Sequence, residues 1–340
     1  MAKRIGRGTA ELTSRVELLG QAAVGGQTEG QGPLGHVFAE IFPEARLGEK
    51  CWEMSETRLQ QAAMRHALES ASCAPEAVDL HLGGDLLNQC SATDFALREL
   101  GIPLAGLFSA CGTFAQALAM GALAIESGAF GRVSACASSH FCAAEKQFRF
   151  PLEFGGQAPP TAQRTATAAG AAILGNAVKD GVGPRISRVI FGKVTDLGVK
   201  NANEMGAAMA PAAWDTLRRF LQDTGVKPSD FDMILTGDLG GIGSLLLLEL
   251  ARAEAGLDLS GVHRDCGLLL YDTQAQDAGA GGSGVGCSAA VLCGEIFPRL
   301  RAGSLRRVLF LGTGALLSAI SPLQGESIPA IAHGVEIVNN

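Results

Sequence analysis

The sequence predicts a layered α/β protein, a five-layer αβαβα sandwich built from two tandem similar halves, and three observations carry that expectation. First, the chain repeats itself. At a constant offset of 153, residues 60–86 align within the stretch 212–239: Arg65 meets Arg218, Leu68 meets Leu221, Pro75 meets Pro228, Asp79 meets Asp232, and Gly84-Asp85-Leu86 meet Gly237-Asp238-Leu239. At a larger offset of 175, Gly128, Arg132 and Val133 meet Gly303, Arg307 and Val308, which places an insertion of 22 residues in the second half, after Asp238 and before "AGAGGSG". Second, the strands that the repeat defines are almost wholly apolar, so their sheets need helices on both faces. Third, apolar residues make up 47% of the chain and charged ones 18%, with 45 glycines and one tyrosine, so the interior is built from small and aliphatic side chains joined by tight turns.

The elements follow in order. The opening "MAKRIGRGTAELTS" has the charges of a secretory leader but no apolar core behind them, so no signal peptide is expected. Each copy of the first repeat reads as an amphipathic helix, a turn containing proline, and a short strand ending in Gly-Asp-Leu. "LAGLFSACGTFAQALAMGALAIESG" (104–128) then runs from an apolar segment through a tight Ser109–Thr113 corner into an alanine-rich helix. The strand "RVSACASSH" closes at His140, and the stretch 141–167, with three prolines and two adjacent glycines, is expected to be a capping loop. "GNAVKDGVGPRIS" reads as the linker between a first half, 1–184, and a second, 185–340. "FGKVTDLG" opens the second half after a strand, and the glycine-rich "AGAGGSG" forms its corner. The apolar run "VLFLGTGALLSAI" is 13 residues long, short of the ~20 that span a bilayer. Any membrane role is therefore expected to come through a partner.

The net charge of −7 and the lack of a basic block exclude a nucleic-acid surface, which needs clustered Lys and Arg. Nine cysteines, an odd number with no C-x-x-C pair, speak against a disulfide framework and a zinc site. Cys111 is the thiol of interest. At the first turn of a buried helix, unpartnered backbone N–H groups and the macrodipole favour a thiolate, whereas a small hydrophobe filling the corner beside Gly112 is the plainer alternative. Ligands in such sheets bind beyond the carboxyl ends of the strands, which places Asp85, Cys111, Ser138 to His140, Asp238 and Ser283 near one cavity.

Two α/β halves with a Cys corner in the first and a glycine corner in the second resemble the thiolase and ketoacyl-synthase superfamily. "QGPLGHVF", "CWEMSE", "GDLLNQ", "FSACGTF", "ASSHFCAAEKQFRFPLEFGGQ", "GKVTDLG", "MGAAMAPAA", "ILTGDLGGIG", "HRDCGLLLY", "GTGALLS" and "ESIPAIAHGV" together resemble, more closely, the stage V sporulation protein AD family. That resemblance implies a thiolase-like fold and a noncatalytic protein that binds dipicolinic acid or its calcium chelate. It further implies work beside the membrane proteins of the stage V sporulation A complex, peripherally on the spore (forespore) inner membrane, assisting uptake in sporulation and release in germination. A homodimer is implied by the superfamily, and no cofactor is.

The residues agree with a binder. Condensing relatives stabilise enolate and oxyanion charge with a His and a His or Asn from the second half. This sequence has Asp238 and Ser283 at those places, and an aspartate beside Cys111 raises the thiol's pKa. The competing reading is a Cys111-dependent acyl-transfer or condensing enzyme. A dicarboxylate needs donors for four oxygens and a flat slot for its ring. The candidates are Lys193 with Asp196 three residues on, His140, and, on the stretch 141–167, Lys146, Arg164 and above all Arg149. Asp85 and Asp238 would repel a naked dianion unless paired with Lys or Arg, so they are expected to be so paired, to meet calcium carried by the ligand, with no metal held by the protein alone, or to cap the following helices.

Overall fold

The computed structural model describes residues 2–148, 158–176 and 183–339. Ten strands build the sheet: β1 (Thr9–Gly26), β2 (Leu80–Gly84), β3 (Leu104–Gly106), β4 (Arg132–Ser139) and β5 (Ala168–Asn176), then β6 (Arg185–Ile190), β7 (Met233–Thr236), β8 (His263–Asp265), β9 (Arg307–Ala315) and β10 (Ala330–Val338). Their order is β8-β7-β9-β10-β6-β1-β5-β4-β2-β3, and two short strands, Lys3–Arg4 and Glu40–Phe42, also pair with β1. Outward from the β6–β1 seam the same pattern runs both ways. An antiparallel strand comes first (β10 or β5), then one antiparallel to it (β9 or β4), then two parallel strands. The sequence repeat is thus a repeat of strand order.

The seam itself is not visible in the sequence. β1 and β6 pair antiparallel from Thr9↔Ile190 to Glu17↔Arg185, with a register shift between Glu11 and Val16. Arg188 ties the strands laterally, reaching Glu11 at 2.6 Å and Glu336 of β10 at 3.0 Å. The two five-stranded arrays therefore join at one edge while their faces stack across a helical layer.

That middle layer holds α3 (Thr113–Glu126), which packs on β4, β2 and β1 and also on β9 and β10. Beside it α8 (Val285–Val291), from the far end of the sequence, packs on β5, β4 and β1. Phe114, Leu118, Ala122 and Ile125 of α3 are buried, as is every residue of α8, because both helices lie between sheets, while α3 keeps one open edge at Met120. The outer layers are α1 (Trp52–Ser70) with α2 (Ser91–Leu100) on one side, and α5 (Met205–Thr224) with α6 (Gly240–Ala255) on the other. The remaining α-helices among the described residues are short: a single turn at Gln27–Gly30, α4 (Phe141–Phe148), α7 (Cys266–Leu270) and, after a π-helical turn at Leu292–Ile296, α9 (Phe297–Arg301). The stretch 141–167 differs from its expected loop character, since its first eight residues form α4 and Arg164–Thr165 pair with Gly282–Ser283.

Candidate functional site

The site grows from two corners that the middle layer brings together. After β3 the chain turns through Ser109–Thr113, and Ala110 takes φ +48°, the left-handed region that favours glycine. Local bonds hold the turn. Gly112 N donates to Ser109 O at 2.9 Å, while Thr113 Oγ1 accepts from Ser109 N at 2.9 Å and donates to Ala110 O at 2.7 Å. β9 presses against it so closely that a Cβ on Gly314 would lie 2.1 Å from Ser109 O. At the second corner Gly284, with φ +93°, starts α8, and a Cβ there would lie 2.6 Å from Ser139 Oγ.

Asp238, at the end of β7, sits behind both corners, fully buried. Its carboxylate accepts from Ser283 Oγ at 3.1 Å, Gly284 N at 2.9 Å and Thr313 Oγ1 at 2.9 Å, and the Cys111 thiol lies beside it. Burial is the main force on this carboxyl, followed in the same direction by the nearby Asp265 charge, and together they push it up to about 7 against the donors. The Cys111 thiol is pushed well above the usual thiol range, by burial first and by the Asp238 charge next. Of the two readings of Cys111 the thiolate is therefore not favoured: desolvation and the neighbouring Asp238 outweigh the helix dipole.

A cavity of about 860 Å³ opens above this floor. Cys111, Ser283 and Thr165 line its base, Leu87, Ala143, Phe148 and Met205 its apolar walls, and Glu53, Asn88, Lys146 and Ser318 its polar parts. Gln147 fastens one wall: its Nε2 donates to Leu86 O at 2.9 Å and its Oε1 accepts from Asn88 N at 3.1 Å.

The expected residues divide sharply. Cys111 and Ser283 line the cavity, and Asp238 backs them without lining it. Asp85 does not reach it. Its carboxylate accepts from Leu87 N at 2.9 Å, Thr93 N at 2.8 Å and Thr93 Oγ1 at 2.7 Å, so it caps α2. Asp238 does not cap α6 in the same way. That work falls to Asp265, which accepts from Leu239 N at 2.8 Å and Gly240 N at 3.0 Å. Every oxygen of Asp85 and Asp238 has a protein donor, which corrects the expectation that they meet a ligand-borne calcium. Among the described residues no group of three His, Cys, Asp or Glu side chains could hold a metal ion.

His140 is likewise structural. Nε2 donates to Ala45 O at 2.7 Å, Nδ1 accepts from Ala143 N at 3.4 Å, and the ring stacks on Trp52 with centroids 5.7 Å apart. Burial holds it below the usual histidine range, hence neutral. Lys193 lies outside the cavity, paired to Asp215 of α5 at 3.1 Å. Asp196 makes a surface turn, accepting from Gly198 N at 2.8 Å and Ser327 Oγ at 2.6 Å. Arg164 stacks over Phe141 at 4.3 Å, and Arg149 lies outside the described residues. Lys146 does line the cavity.

Sequence reasoning missed His333, the imidazole nearest the corner. Its Nδ1 accepts from Gly192 N at 3.2 Å, so Nε2 carries the proton and meets Ser109 Oγ at 3.0 Å. Burial holds it down to about 4 and it does not line the cavity, so it braces the corner from behind as a neutral donor. Its position in "AIAHGV" carries no spacing signal that ties it to a corner more than two hundred residues earlier.

The family model described as Stage V sporulation protein AD matches residues 6–338. Stage V sporulation protein AD of Bacillus subtilis (strain 168) is 42% identical over 310 residues, covering 91% of this chain and 90% of the relative. Among solved structures, cerulenin-bound OleA of Xanthomonas campestris superposes with a TM-score of 0.60 at 16% identity, covering 96% of this chain and 97% of that one. A variant of the same OleA gives a TM-score of 0.61 at 16% identity, covering 96% and 99%. The fold is thiolase-like; at that identity the likeness to OleA extends to the fold alone.

Proposed function

The chain belongs to the stage V sporulation protein AD family, and from that premise we propose that this sporulation protein binds dipicolinic acid, or its calcium chelate, without transforming it. In this reading it assists uptake of the compound into the forespore and its release in germination, as a homodimer peripheral to the spore inner membrane beside the membrane proteins of the stage V sporulation A complex. No helix among the described residues is long and apolar enough to cross a membrane, so attachment would go through those partners. We also propose that 1–184 and 185–340 are the two thiolase-like halves, a division supported by their matching strand orders.

One observation carries the noncatalytic part. The thiol at the floor is held protonated by burial and by Asp238, and no histidine lines the cavity among the described residues. Acyl transfer at Cys111 needs a thiolate and donors aimed at a developing oxyanion, whereas Ser283 and Gly284 spend theirs on Asp238. A largely apolar cavity lined by a few polar side chains suits a flat aromatic acid.

The test is calorimetric and thermal-shift titration of the purified chain with dipicolinate, with and without calcium. Ligand at a hundred times its dissociation constant should add about 2.7 kcal/mol of stability. An unmoved melting curve in both salts would leave only a scaffold with a vestigial cavity. A stable acyl adduct on Cys111 after incubation with acyl-CoA would favour the transferase reading instead.

A further inference from the structure

We infer that the ion pair between Glu53 and Lys146 in the cavity wall is an exchange site, in which a ligand carboxylate takes the ammonium of Lys146 from the carboxylate of Glu53. This rests on the reading of the cavity as a dicarboxylate site and names the residues that select for charge there.

The charges of the cavity are few. Among its described lining residues Lys146 is the single cation, and Glu53 and Glu145 are the acids. The floor offers an anion no cation, since Cys111, Thr165 and Ser283 are uncharged. Ser283 Oγ, Gly284 N and Thr313 Oγ1, the donors nearest Cys111, all point at the Asp238 carboxylate, and a second carboxylate beside that buried acid would be repelled. The anionic end of a ligand is therefore driven away from the floor, toward Lys146.

Lys146 is presented well for this. It stands on α4 next to Gln147, whose two bonds to the Leu86–Asn88 turn fix the backbone, while about half of its side chain is exposed. Its Nζ lies 2.5 Å from Glu53 Oε1. Glu53 sits in the first turn of α1, where the helix dipole favours a carboxylate whether or not the lysine stays. Burial alone would raise the Glu53 carboxyl, but hydrogen bonds from Lys146, from its own backbone N–H and from Cys51, with the Lys146 charge, outweigh it, so Glu53 is an ionised stand-in for ligand at neutral pH. An ammonium has three donors and a long flexible stem, so it can turn from one carboxylate to another without moving the helix that bears it. A neutral ligand cannot win this exchange. The pair thereby favours acids over uncharged molecules of the same shape.

The test compares two probes of one shape, disodium pyridine-2,6-dicarboxylate and the uncharged pyridine-2,6-dicarboxamide, titrated calorimetrically into wild type, Lys146→Gln, Lys146→Arg and Glu53→Gln. Lys146→Gln should weaken the dicarboxylate at least tenfold and leave the dicarboxamide unchanged, Lys146→Arg should restore most of the loss, and Glu53→Gln should tighten the dicarboxylate severalfold. Equal dicarboxylate affinity in Lys146→Gln and wild type overturns the inference, as does equal weakening of both probes or a weaker dicarboxylate in Glu53→Gln. If wild type binds no dicarboxylate, the proposed function itself fails first and the exchange site falls with it.

Discussion

Ala110 stands at φ +48° to turn Cys111 toward the cavity, a strain on the order of 1–2 kcal/mol for a residue with a Cβ. The corner thus keeps the form of a nucleophile's seat while Asp238 and burial keep the sulfur protonated. Asp238 is the residue that makes this site depend on pH. Its folded value, about 7, lies above the ordinary 3.8, so between those values the folded chain holds a proton that the unfolded chain releases. Its contribution to stability is full below about pH 4, declines as pH rises, and is lost above about 7, with a limiting slope of about 1.4 kcal/mol per pH unit. Glu29, Glu56, Asp85 and Asp265 are also raised by burial and act with the same sign, so the wild-type profile alone does not isolate Asp238. Asp238→Asn cannot titrate. Urea unfolding of both proteins from pH 5 to 7.5 should show wild type losing stability relative to the variant as pH rises, and parallel profiles would refute the assignment. Cys111, Asp238 and Ser283 were legible in the sequence because corners and strand ends have local signatures. Lys193 and His140 were misread because their partners, Asp215 and Ala45 O, are supplied by other elements through tertiary packing.

Among the elements, α2 shows how a repeated motif can diverge in use. Gly-Asp-Leu ends both β2 and β7, yet only Asp85 caps the helix that follows, while Asp238 reaches instead to Gly284 at the start of α8. The neighbouring strand makes the difference: β8 ends on Asp265, which reaches the start of α6, whereas its first-half counterpart β3 ends on Gly106, and this leaves Asp238 to the second corner. Asp85 is buried and takes three hydrogen bonds, two from Thr93. Asp85→Ala strands the Leu87 and Thr93 donors and should destabilise the fold by about 1–3 kcal/mol, the range for a lost cap whose partners remain buried. Dicarboxylate affinity in the folded variant should stay within about twofold, because Asp85 does not line the cavity. Chemical denaturation and calorimetry read the two effects separately, and a tenfold affinity loss at unchanged stability would return Asp85 to the binding site. α4 was illegible for a different reason: the glycines and prolines after Phe148 dominate the composition of its stretch and hide eight residues of helix that precede them.

Across the whole molecule, the repeat and the layering were legible because apolar strand patterns and amphipathic helices are written locally, whereas the seam was not. Pairing β1 with β6 is a matter of backbone groups and of a register shift between Glu11 and Val16, and neither leaves a mark in side-chain pattern. The seam and the middle layer have a joint consequence for folding. α3 belongs to the first half by sequence but packs on β9 and β10 of the second, and α8 belongs to the second but packs on β4 and β5 of the first. Neither half can bury its central helix alone, so the two should unfold as one cooperative unit despite their separate strand arrays. The two tryptophans of the chain allow this to be seen directly. Trp52 reports on α1, where it stacks on His140, and Trp214 reports on α5, where its Nε1 donates to Glu254 at 2.7 Å. Urea unfolding of Trp52→Phe and Trp214→Phe, each followed by the fluorescence of the remaining tryptophan and referenced to its own circular dichroism, should give coincident fluorescence and dichroism midpoints in both variants. Separate midpoints, with one half melting while the other keeps its signal, would mean that the exchanged helices bind too weakly to couple the halves.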